Sequence, residues 1–143
     1  FGAYATATMG GNLLADLVRE EVRLDQRVVA VDDEAVVLAP YASGTPYQLI
    51  LVPRRPAMRF EDEGPLCVAA LGDALARLQR RFGRPPALNL WVRTAPRGAE
   101  DFQWHVDILP RLTVRAGFEM GTGVEINVYP PERAAADLRT VIE

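Results

Sequence analysis

The chain has 143 residues, enough for one domain with its own core and too few for two. Apolar residues make up 49% and charged residues 24%, the net charge is −3, and every basic residue is arginine. Lacking lysine, the chain cannot use a lysine nucleophile or Schiff base, and a mildly acidic surface with scattered arginines does not hold nucleic acid by charge.

No apolar run reaches the ~18 residues that a membrane span needs, so no membrane partner is expected. The segment Phe1 to Gly11 is apolar but has neither a basic start nor a clean cleavage site, and it is not read as a leader. Phe1–Met9 has no evident core partner, a mild sign of a surface normally covered by another chain or domain. The lone Cys67 sits in an apolar helical stretch and reads as core. It allows no intrachain disulfide and fits a reducing, cytoplasmic compartment.

In chain order, Asn12 to Val22 places Leu13, Leu14, Leu17 and Val18 at helical spacing, with Asn12 as the N-cap. Arg27–Val31 and Ala35–Ala39 are β-rich runs joined by Asp32-Asp33-Glu34, which predicts a hairpin. After a loop from Pro40 to Pro46, the almost wholly apolar Tyr47–Pro53 predicts a central strand. Pro65–Phe82 is the strongest helix, with arginines crowding its last turn and Gly83 closing it. Leu88–Arg93 and Phe102–Leu109 predict an antiparallel pair across the polar loop Ala95–Asp101. An irregular stretch runs from Pro110 to Gly123, then a short strand at Val124–Val128, then a helix from Glu132 to about Ile142 begun by Pro131. Strands joined by short turns imply a single α+β domain over 1–143, a mainly antiparallel sheet with helices packed on one face.

The chemistry concentrates in Phe102-Gln103-Trp104-His105-Val106-Asp107-Ile108-Leu109-Pro110-Arg111. On a strand, alternation points Gln103, His105 and Asp107 one way and Trp104, Val106 and Ile108 the other. That is a polar, site-lining face backed by core.

This stretch resembles the histidine-triad strand, His-x-His-x-His-x-x-Pro, with Gln103, His105, Asp107 and Pro110 in register. In that superfamily the middle histidine attacks the α-phosphorus; the matching position is His105, the only histidine here. Over about residues 12–140 the chain more specifically resembles the C-terminal half of the galactose-1-phosphate uridylyltransferases. The elements that carry this are Val92-Arg93-Thr94-Ala95-Pro96, Gln103-Trp104-His105, Gly117-Phe118-Glu119 and Pro131-Glu132-Arg133-Ala134-Ala135, in that order. Pro40-Tyr41-Ala42 and Val52-Pro53-Arg54-Arg55 extend the match.

The resemblance implies a histidine-triad-like fold and a role in nucleotidyl transfer to hexose phosphates. The family's attacking histidine lies in a His-Pro-His-x-Gln motif of the other half, and this chain has none. This half would therefore supply scaffold, a dimer surface and recognition of a UDP-sugar or hexose 1-phosphate, and would be inactive alone. The partner implied is an N-terminal catalytic half or a second subunit.

Some members hold a structural metal with three histidines of this half; the matching positions are Arg93, Gln103 and His105. Arginine stays protonated and glutamine is a poor ligand, so no metal is expected in this chain, though the missing half can hold one. Glu119, Phe118 and Asn127 match the stretch that contacts the hexose, while Gln103, Asp107 and Arg93 are candidates to contact phosphate or orient His105. Two other readings stand beside this one: a stand-alone nucleotide hydrolase or transferase using His105, and a non-catalytic interaction module.

Overall fold

Five antiparallel strands hydrogen-bond into one sheet: β1 (Val28–Val31), β2 (Ala35–Leu38), β3 (Leu49–Pro53), β4 (Leu88–Arg93) and β5 (His105–Pro110), in the spatial order β1-β2-β3-β5-β4. The computed structural model describes residues 1–63 and 66–141. The hairpin forms as its pattern predicts: Asp32 accepts hydrogen bonds from the backbone N–H groups of Glu34 and Ala35, and β1 pairs with β2. Val28 and Val29 enter cores on opposite faces of the sheet by ordinary alternation, and the bulge between Val28 and Ala30 then keeps Ala30 on the same side as Val29. The apolar strand β3 is central, as expected of a strand buried on both faces.

The main core lies on one face. There α3 (Val68–Phe82) and α5 (Pro131–Thr140) bury Ala70, Ala74, Leu78, Ala134, Ala135 and Leu138 against Val37, Leu49, Leu51, Val106 and Ile108. Small residues on both helices let them approach the sheet and each other closely. On the other face, α2 (Leu13–Leu24) packs Leu14 and Val18 on Val28, Val36, Leu38 and Val52. Each such buried aliphatic side chain contributes about 1.5–3 kcal/mol relative to exposure. Asn12 caps α2 as expected, its side chain accepting from the Ala15 N–H at 3.0 Å. A short α1 (Gly2–Ala7) precedes it, so Phe1–Met9 does have a partner: the Phe1 ring packs against the α2 core and against Phe102. The opposite face is thus covered over β1–β3 and open over β4–β5.

Three expectations are corrected. Gly117–Thr122 forms a short helix, α4, where an irregular stretch was expected. Val124–Val128 is not a strand and pairs with none of the five strands of the sheet. The segment is fastened instead by Asn127, which donates to Ser43 Oγ at 2.7 Å and accepts from the Tyr129 N–H at 3.0 Å. The ladder of β5 starts at His105 and not at Phe102, since the Trp104 N–H turns aside to the Ala57 carbonyl at 2.9 Å. Two helix ends placed from sequence, Pro65 and Ile142, lie outside the described residues.

Candidate functional site

Directly opposed residues of an antiparallel pair share a face. The register pairs Arg93 with His105, Trp91 with Asp107, and Asn89 with Leu109. Alternation along the strands puts all six on the open face, while Leu90, Val92, Val106 and Ile108 point to the core side. The sequence pattern therefore places His105, Asp107 and Arg93 together correctly.

His105 is half-buried. Its Nδ1 lies 2.9 Å from the Gln103 carbonyl oxygen, and its ring stacks on Phe102 with centroids 5.9 Å apart. A carbonyl only accepts, so Nδ1 carries the proton of the neutral ring, and Nε2 keeps the lone pair. The ring is thus held by its own backbone neighbour and not by a carboxylate. Asp107 is engaged elsewhere: its Oδ2 accepts from Arg93 Nε at 2.8 Å. The Arg93 guanidinium also lies 5.8 Å from the Trp91 ring centroid.

Gln103 is not on the solvated face. It is 1% exposed, and its Nε2 donates to the Pro53 carbonyl at 2.8 Å, which ties the segment before β5 to the end of β3. Alternation continues through this segment, since Trp104 joins Val106 and Ile108 in the core, but packing against the end of β3 removes Gln103 from solvent. A metal does not fit this set. Arg93 is protonated and paired, Asp107 is taken up by it, and a single imidazole remains. Among the described residues no group of three or more His, Cys, Asp or Glu side chains converges.

Beyond Trp91, the open face continues into a cleft of about 850 Å³ between β4–β5, the loop Gly44–Gln48 and the segment from Arg111 to Val128. Glu119 lines it, and its Oε2 accepts from the Ala116 N–H at 3.1 Å, tying down the start of α4. Phe118 is exposed and does not line the cleft, and Asn127 is held by Ser43 and Tyr129. So the structure groups His105, Asp107 and Arg93, sets Glu119 in the adjoining cleft, and leaves Gln103, Phe118 and Asn127 outside both. Trp91, Asn89 and Arg111 also line the cleft and were not singled out from sequence. The signal was present for two of them: Asn89 and Trp91 share strand parity with Arg93.

No protein-family model matches the chain. It is 26% identical over 129 residues to an ADP-glucose phosphorylase of Arabidopsis thaliana, covering 85% of this chain and 37% of that one. It is 27% identical over 158 residues to a galactose-1-phosphate uridylyltransferase of Cryptococcus neoformans, covering 97% and 41%. Among solved structures, an ADP-glucose phosphorylase from Arabidopsis thaliana with bound ADP-glucose has a TM-score of 0.83 at 24% identity, covering 97% of this chain and 46% of that one. A HIT-like protein from Bartonella henselae gives 0.65 at 15%, covering 92% and 96%.

The fold is that of a histidine-triad-type α+β domain. Within that class the chain is related in sequence to galactose-1-phosphate uridylyltransferases. It spans about two-fifths of the length of the curated relatives it matches. No helix among the described residues is long and apolar enough to cross a membrane.

Proposed function

We propose that this chain acts as the C-terminal half of a hexose-1-phosphate uridylyltransferase-type enzyme, contributing scaffold and sugar recognition while a catalytic half supplies the nucleophile. The substrate class is a sugar nucleotide with a hexose 1-phosphate, in a reducing, cytoplasmic setting. The nucleoside is left open by the relatives, one named for ADP-glucose and one for uridylyl transfer.

The observation that carries this reading is strand β4. It is the last strand of the sheet, hydrogen-bonded on one side only, and Leu90, Trp91 and Val92 are all exposed. Leu88, Leu90, Trp91 and Val92 make most of this edge apolar, with Asn89 and Arg93 as its polar members, and an unpaired edge of that kind is an interaction surface by its chemistry. A further half supplying a strand would satisfy it, and the relatives contain more chain than the two-fifths matched here. That half would carry any metal the enzyme needs, since no group of three or more possible ligands converges among the described residues here. A dimer of the completed enzyme follows the same reading.

One feature favours the stand-alone alternative: the free Nε2 of His105 has the tautomer a phosphorus-attacking imidazole needs. Incubation with UDP-glucose and with ADP-glucose labelled in the α-phosphate, followed by denaturing mass spectrometry, separates the two. No nucleotidyl-protein is expected. An adduct on His105 that disappears in His105→Ala would replace this reading with an autonomous transferase.

A further inference from the structure

We propose that Trp91 and Arg111 orient a phosphorylated sugar in the cleft beside β4, the ring lying on the indole and the phosphate meeting the guanidinium. The inference rests on the function proposed above, which supplies the sugar phosphate, and it assigns the two residues that hold each end.

The charges of the cleft leave one cation available. Arg115 is ion-paired with Glu125 inside the cleft, so the two offset each other. Arg111 has no carboxylate within ion-pair distance among the described residues. Its own backbone N–H donates to the Ala87 carbonyl at 2.7 Å, so the side chain starts from a fixed point just past β5. A guanidinium presents a planar fork of donors that matches two phosphate oxygens at once.

The acidic end is Glu119. One of its oxygens holds the Ala116 N–H, and the other has no partner among the described residues, which suits a sugar hydroxyl. Thr45 Oγ1, also in the cleft lining, is buried without a hydrogen-bond partner, so a ligand hydroxyl there would satisfy it.

Trp91 lines the same cleft and is 44% exposed on the open face. An exposed indole is an apolar platform for the C–H face of a pyranose ring. Its side chain points to the cleft and is distinct from the backbone edge of β4, so docking a partner strand leaves it in place. A sugar phosphate, with an apolar C–H face, an anionic group and hydroxyls, matches this set of platform, cation and acceptors in one cleft.

The test is calorimetric titration of the 143-residue chain with glucose 1-phosphate, inorganic phosphate and UMP, using wild type, Arg111→Met, Trp91→Ala, Trp91→Phe and the exposed control Arg84→Met. Glucose 1-phosphate binding is expected to weaken at least about tenfold in Arg111→Met and in Trp91→Ala, the discrimination a lost charged or stacked contact gives. Arg111→Met should also lose inorganic phosphate, whereas Trp91→Ala keeps it. Trp91→Phe should retain most of the sugar phosphate affinity, and Arg84→Met all of it. Three results would overturn the assignment: no binding of glucose 1-phosphate by wild type, equal binding in all five proteins, or Trp91→Ala acting on UMP and not on the sugar phosphate. An adduct on His105 would instead remove the proposed function, and the two failures are read by different instruments.

Discussion

Arg93 and Asp107 are diagonal neighbours across β4 and β5, joined by a 2.8 Å bond from Arg93 Nε to Asp107 Oδ2. This pair takes the one carboxylate on the His105 side of the strand away from the imidazole, which is why the ring falls to the Gln103 carbonyl. The Arg93 side chain is more than half exposed, so solvent screens the pair to about 0–1 kcal/mol. Arg93→Gln is expected to leave the melting temperature within a few degrees of wild type, with the difference vanishing at high salt. A larger, salt-independent drop in a thermal melt would mean that Arg93 is structural in some further way.

Arg27 is the opposite case. It reaches from the start of β1 to Glu21 of α2 at 2.8 Å and to Glu132 of α5 at 2.7 Å, with Arg27 and Glu21 both nearly enclosed. Three segments distant in sequence meet at this one guanidinium. Removing it strands the Glu21 carboxylate in the interior, and a broken buried pair costs about 3–5 kcal/mol. Urea unfolding of Arg27→Met should show that loss. The double variant Arg27→Met with Glu21→Met should recover most of it, because no charge is then left unpaired. Equal stability of the single and double variants would remove the argument.

How far the sequence was legible follows from where local signals act alone. The Asn12 cap, the Asp32–Glu34 turn and Gly83 at a φ of +69° each need only neighbouring residues, and each appears where expected. The open-face grouping of His105, Asp107 and Arg93 needed only period-two alternation and one pairing. Gln103 was expected to be solvated and is not, because its burial comes from a tertiary contact with the Pro53 carbonyl that the local pattern does not report. The alternating Val124–Val128 looked like a strand, yet strand formation depends on tertiary pairing, which no local pattern reports, and this segment joins no strand of the sheet. Helix α4 was hidden by Gly117, Gly121 and Gly123; its readable sign was Glu119, placed to reach back to the Ala116 N–H. The cleft joins residues from 44 to 128 and had no signature of its own in the chain.

Cys67 provides a test of burial. It sits at the start of α3 with a φ of +64°, nearly enclosed, with its N–H donating to Glu34 Oε2 at 2.7 Å. Burial, with Glu34, Asp32 and Glu63 nearby, pushes its thiol up to about 11. Only the thiolate reacts, so alkylation by iodoacetamide at pH 8 should be slow in the folded chain and fast in urea. Rapid modification without denaturant would show that the α3 entrance opens readily.

The pH dependence of stability should be traceable to Asp137 of α5. Its Oδ2 accepts from Tyr47 Oη at 2.5 Å, Tyr129 Oη at 2.7 Å and Arg81 at 3.2 Å. The Tyr47 hydrogen bond above all, then Tyr129 and Arg81, hold this carboxyl below the usual aspartate range in spite of its burial. A carboxylate with a depressed folded pKa gives stability that is complete above its unfolded value of about 4 and is lost as pH falls through the lower folded value. Asp137→Asn keeps the shape and removes the charge, so it should be less stable than wild type by about 1–3 kcal/mol at pH 7. That deficit should stay level down to about pH 5 and shrink steadily below pH 4, as protonation makes the wild-type carboxyl as neutral as the amide. Melting curves of both proteins from pH 7 to pH 3 measure it. Curves that run parallel throughout would mean that hydrogen-bond geometry alone, and not the ionised carboxylate, joins α5 to Tyr47 and Arg81.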